Sequence, residues 1–260
     1  MRIDSLHRRI MMDARVLHDR LTQVFPATLP KQYEKRRINV RALIKRIDAV
    51  TLEFNIKNSI GYFKPETKTD TRIFFTGEWL PECELPCEDS LADIRIGWQV
   101  SEIGKMMEFT AVSWRRLHFY YWTFVMHEMI HRHQDIQRGP DGPRTRVYRP
   151  MASDAESIAE QKYLGDYDEI EAHSHDIALE LLAWFPSLHY RDAVRELRAK
   201  YDDPSISTYA IYARCFQNAE THPALGVLEQ KIRQWHTNMT SNLDFYRTLE
   251  LYTDGNPLIP

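Results

Sequence analysis

Val125-Met126-His127-Glu128-Met129-Ile130-His131-Arg132-His133 is the stretch on which the reading of this chain turns. It lies in a run without Gly or Pro from Lys105 to Arg138, long enough to be mostly helix. On a helix, residues four apart share a face one turn, roughly 5.4 Å, apart. His127 and His131 can therefore offer two imidazole nitrogens to one ion. Zinc takes nitrogen ligands in a tetrahedral site, and a catalytic site keeps one position for water. Glu128, beside the first histidine, is placed to accept a proton from that water. The expectation is a zinc site on His127 and His131 that needs a third protein ligand.

Composition bounds the alternatives. The chain has 260 residues, 43% of them hydrophobic, enough for a sizeable core. A formal net charge of −3 gives no global field directed at nucleic acid or a membrane surface. No apolar run approaches the roughly 20 residues that span a bilayer. Residues 1–9 lead into no signal-peptide core, and three cysteines do not make a disulfide framework, so a cytoplasmic setting is expected. Cys83 and Cys87 flank a short Pro-containing segment and are read as reduced thiols, not metal ligands.

The apolar spacing predicts a first helix carrying Leu6, Ile10, Ala14, Leu17 and Leu21, ending before Pro26. A second is expected from about Lys31 to Ala49, with Val40, Leu43, Ile44 and Ile47 inward and a basic, solvated opposite face. Residues 50–100 read as β: Val50 to Phe54 alternates, Arg72 to Thr76 is a short strand closed by Gly77, and Ala92 to Val100 alternates as a half-buried strand. Arg138 to Pro150, with two Gly and three Pro, is a loop. Beyond Pro186, helices are expected at Tyr190 to Leu197, Ser207 to Glu220 and Ala224 to Tyr252, their aromatic residues in the core.

The third ligand is sought in Tyr163 to Leu182. Asp166 or Asp168 caps a helix that stops near Pro186, with Ile170, Ile177, Ala178, Leu181 and Phe185 as its buried stripe. Glu171 and His175 border that stripe, while Glu169, His173, Asp176 and Glu180 form the opposite polar row. A carboxylate bordering the core needs a cation, because desolvation otherwise neutralises it. Glu171 is therefore the expected third ligand, His175 the alternative, and Glu169 a solvated acid favoured by the helix dipole.

These residues resemble a zincin-fold metallopeptidase with a glutamate third ligand, a gluzincin. The pattern is similar to that of ImmA/IrrE-type metallopeptidases, in which His-Glu-x-x-His is followed by a helix carrying Glu-Ala-Asn-x-Phe-Ala. Here His127-Glu128-Met129-Ile130-His131 is followed by Glu171-Ala172-His173-Ser174-His175, with His173 in place of Asn and His175 in place of Phe. The run from Tyr163 to Ala172 also resembles metallopeptidase-like proteins of tailed bacteriophages. The resemblance spans about Ile96 to Trp184. It implies an α+β fold with a zincin-like core at 50–186, between helical segments at 1–49 and 187–260. It also implies zinc on His127, His131 and Glu171, and Glu128 as general base. In zincins the strand ahead of the active-site helix is an edge strand that holds the substrate backbone, a role open to Ala92–Val100. A protein or peptide substrate follows, with His175, Tyr163 or Tyr167 as candidate donors to the oxyanion. The other reading is a non-catalytic assembly protein, virion-associated if phage-encoded, whose aromatic C-terminal helices meet a partner.

Overall fold

The computed structural model describes residues 5–26, 29–64, 73–80, 93–101, 106–138, 155–200, 207–216 and 222–241. It is an α+β structure of eight helices and two small sheets among those residues. Backbone contacts divide it into two units, one up to Asp135 and the other from Ile136. No described helix is long and apolar enough to cross a membrane.

The first unit opens with α1 (Ser5–Leu21), whose Ile10, Ala14, Leu17 and Leu21 are all fully buried, the stripe expected from the spacing. The second helix starts later than its apolar pattern suggests. Lys31–Tyr33 is a single 3₁₀ turn, and Arg37–Asn39 forms β1 before α2 (Val40–Thr51) begins. Asn39 caps α2, its side chain accepting a hydrogen bond from the Ala42 amide. Val40, Leu43, Ile44 and Ile47 are buried, and Arg41, Lys45 and Arg46 are exposed, as expected of a solvated basic face.

The alternation at Val50–Phe54 is not a strand. α2 runs through Thr51, and Leu52–Phe54 is a 3₁₀ turn closed by Asn55 in the left-handed region at φ 55°. Asparagine tolerates that conformation because its short amide bonds locally. The strand begins only then, as β2 (Ile56–Phe63). β3 (Ile73–Leu80) continues through Gly77 where a strand end was expected. β4 (Asp93–Ser101) buries Ile94, Ile96, Trp98 and Val100 as its alternation predicts. The sheet order is β2-β4-β3, with β4 parallel to β2 and antiparallel to β3. The strand ahead of the long helix is therefore central among the described strands, and β3 is an edge. A separate ribbon pairs β1 with β5 (Met106–Glu108).

α3 (Ala111–Arg138) carries the His-Glu motif. Thr110 and Ser113 cap its start reciprocally, each amide donating to the other's hydroxyl oxygen. Its aromatic first half packs into the unit's core. Tyr121 lies 5.2 Å from Trp98 of β4, and Phe25 touches Trp98, Trp114 and Tyr121. Asn58 of β2 joins the layers. Its Oδ1 accepts from Tyr121 Oη and Trp98 Nε1, each at 3.1 Å, its amide N donates to Asp48 and its Nδ2 to Thr51 of α2.

The second unit is helical: α4 (Ala155–Leu164), α5 (Tyr167–Trp184), α6 (Tyr190–Lys200), α7 (Thr208–Cys215) and α8 (Pro223–Ser241). Asp166 caps α5 by accepting from the Asp168 amide. α5 is buried on all sides, not on one stripe. Glu169, Asp176 and Glu180, expected on the polar row with Glu169 solvated, are all under 9% exposed. That row has polar partners within the unit: Glu180, for example, accepts from Ser207 Oγ and from the Thr208 amide and hydroxyl at the start of α7. Tyr209, Tyr212, Phe216 and Trp235 lie in the core, as their spacing predicted. Cys83, Cys87, the Arg-rich segment 139–150 and the pattern beyond 241 lie outside the described residues.

Candidate metal centre

The motif residues occupy the third and fourth turns from the C-terminal end of α3. Three contacts within the first unit fix that end. Arg132 donates to the Phe54 carbonyl at 2.9 Å, His133 Nε2 meets Asp13 Oδ2 of α1 at 2.9 Å, and Trp79 of β3 donates to Asp135. His133 is thus an anchor rather than part of the histidine pair. Burial lowers its pKa against the opposing pull of Asp13.

With the helix fixed, His127 and His131 face each other. Their Nε2 atoms are 3.1 Å apart and their rings meet edge to face at 4.8 Å. Two nitrogens sharing a tetrahedral zinc at about 2.0–2.1 Å stand about 3.3 Å apart, so the spacing suits a shared ion. The other ring nitrogen of His131 is committed: Nδ1 lies 2.9 Å from Gln134 Oε1. An amide oxygen only accepts, so His131 carries its proton on Nδ1 and turns a lone pair on Nε2 towards His127.

Glu128 is 5% exposed and packs beneath β3. A Cβ built on Gly77 would overlap its Oε1 and press on Cδ and Cγ. Gly77 is therefore the position where the strand admits the carboxylate.

In the second unit, Glu171 is almost wholly buried, and the cation it requires is Lys231 of α8, its Nζ 2.5 Å from Glu171 Oε2. Burial works against the Lys231 charge, but Glu171 and Tyr167 outweigh it and raise the pKa overall. Lys231 also lies over the Tyr167 ring at 4.8 Å. His175 is fully buried, edge-on to Trp235 of α8 at 4.9 Å.

The polar row holds a second donor set. His173 Nε2 is 3.9 Å from Glu169 Oε2, and His173 Nδ1 is 3.6 Å from Asp176 Oδ2, so the imidazole sits between two carboxylates. Tyr212 of α7 stacks edge-on to His173 at 5.6 Å. Burial, then the nearby Glu169 charge, raises the Tyr212 pKa well above its usual value and keeps the phenol protonated. Tyr163 is exposed and Tyr167 lies under Lys231. Spacing in the sequence did not single out Tyr212 because, with Tyr209 and Phe216, it marks a core stripe. It passed over Glu169 because a carboxylate in a helix's first turn is ordinarily solvated.

Compared with protein-family models, curated proteins and solved structures, the chain matches none.

Proposed function

We propose that this protein is a zinc-dependent peptide hydrolase whose ion is held by His127 and His131 and by a carboxylate of α5. The observation that carries the reading is the 3.1 Å approach of the two Nε2 atoms, with His131 Nδ1 engaged by Gln134. The imidazole and carboxylate donor chemistry suits zinc. Of the α5 carboxylates, Glu171 already has Lys231, whereas Glu169 is the one we place with His127, with His173 beside it. When bound, zinc acts as a Lewis acid and brings water's pKa towards about 7.

The chain's own residues supply the rest. Glu128 accepts a proton from the attacking water and passes it to the leaving amine. Gly77 leaves room for that carboxylate, and the neighbouring edge of β3 offers backbone groups to an extended peptide by strand addition. Tyr212, held protonated, is the candidate donor to the developing oxyanion. The fold would then be zincin-like, with Trp98 and Tyr121 joining the sheet to the active helix.

A second reading has an observation of its own. α3 offers two imidazoles and α5 offers Glu169 and His173, and four protein ligands would close the site as in structural zinc centres. The chain would then be a binding or assembly protein. Metal analysis combined with an assay on unstructured peptides tests both. The hydrolase reading expects about one zinc per chain and cleavage abolished by a chelator. Zinc that stays bound in His173→Ala supports an open site. Zinc with no cleavage of any peptide, and lost in His173→Ala, favours the closed one.

A further inference from the structure

The second unit contains a surface pocket of about 370 Å³ between the start of α6 and the C-terminal half of α8. Its walls carry His189, Arg191, Arg233 and His236, with Tyr190 packed against His236 at 5.3 Å between ring centres. No carboxylate lines it among the described residues. This is unusual for α6, whose other arginines are neutralised: Arg195 pairs with Asp192 at 2.9 Å and Arg198 with Glu229. Arg191 and Arg233 make no ion pair among the described residues. Four basic groups thus converge on one concavity with no built-in counter-charge.

We propose that this pocket binds a small phosphate-bearing molecule, a phosphate monoester. Guanidinium forks match phosphate oxygens in pairs, and two of them on facing helices can hold one dianion. α6 begins at Tyr190, so its first turn forms part of the wall and its dipole adds to the attraction. The Tyr190 hydroxyl is engaged with the Glu229 carbonyl at 3.1 Å, which fixes the ring as an apolar wall for the organic part of the ligand. A volume of this size exceeds a bare phosphate and lies in the range of small-molecule sites, about 300–1,000 Å³. Burial, then the charge of His189, lowers the His236 pKa, and a bound dianion would act in the opposite direction. The proposal does not depend on the zinc reading.

The test is calorimetric titration of the full chain with glycerol phosphate, inorganic phosphate and succinate, at about 0.15 M salt. One saturable site is expected, tightest for glycerol phosphate and weakest for succinate. Arg191→Gln and Arg233→Gln should each weaken glycerol phosphate about tenfold or more, because each removes a charge-assisted bond. Arg41→Gln, on the exposed face of α2, and His127→Ala should bind as the wild type does. Thermal melts of each variant verify folding. The proposal is overturned by absence of saturable binding, by equal affinity for succinate, by unchanged binding in both pocket variants, or by loss in His127→Ala.

Discussion

Gly77 and Glu128 occupy one space: the missing side chain of the strand is filled by the carboxylate of the helix. The glycine is not required by backbone conformation, since it sits in the middle of a paired strand opposite Ile96. Its role is to admit Glu128. In Gly77→Ala the Glu128 side chain has to swing aside, because its Oε1 would lie 2.4 Å from the added methyl and its Cδ and Cγ 3.0 Å. Peptide hydrolysis should fall about tenfold or more, since positioned proton transfer contributes about 10²–10⁴-fold. Zinc content should stay at the wild-type level. Unchanged hydrolysis in a folded Gly77→Ala protein would remove Glu128 from the mechanism.

Gln134 is expected to control metal affinity without touching the metal. It accepts from His131 Nδ1, and such partners of ligating histidines typically contribute about 10–100-fold in affinity. Gln134→Leu should lose affinity on that scale, whereas Gln134→Glu, which still accepts, should restore it. His131→Ala should lose the metal outright. A chelator competition assay across the three variants measures this, and equal affinity in Gln134→Leu and wild type would reject the assignment.

These two relationships mark what was legible in the sequence and what was not. The i, i+4 histidines, the α1 stripe and the Ile94–Val100 alternation are local patterns, and the structure forms them as spaced. Gly77 looked like a strand terminator because its reason lies on α3. Val50–Phe54 mimicked a strand because one turn of 3₁₀ helix also scatters apolar residues, and the left-handed Asn55 that ends it leaves little trace in an alternation pattern. The burial of the polar row of α5 was not legible for a similar reason. The row's partners, among them Ser207 and Thr208 for Glu180, are distant in the chain, and spacing within one helix cannot reveal them.

Glu180 should give the fold a measurable pH dependence. Burial raises its pKa from 4.5 to about 7, with the Asp176 charge adding to the rise and the Ser207 and Thr208 bonds opposing it. Between those values the folded protein holds a proton that the unfolded chain releases, so stability falls as pH rises through the window. It levels off above the folded pKa. The slope for one proton is at most about 1.4 kcal/mol per pH unit. Glu180→Gln should flatten the wild-type curve from pH 4.5 to 7 in urea denaturation. A wild-type curve already flat there would show that the carboxylate is not buried as described.

Glu171 and Glu169, two residues apart on α5, are expected to fail differently. Glu171 neutralises Lys231, and removing one partner of a buried pair leaves an uncompensated charge at a cost of about 3–5 kcal/mol. Glu171→Leu should therefore destabilise the protein strongly while leaving the metal in place. The double variant Glu171→Leu/Lys231→Met removes both charges and should recover most of the loss, because a well-packed apolar pair often replaces a buried ion pair without penalty. That recovery separates the two roles: a metal ligand is not rescued by deleting a lysine. Glu169→Gln, by contrast, removes a charged donor beside His173 and should lower zinc content with a smaller effect on the metal-free fold. Thermal denaturation in chelator and metal analysis of the same samples read both effects. Should the double variant be stable but empty of zinc while Glu169→Gln stays loaded, Glu171 is the ligand and the assignment of the two glutamates is reversed.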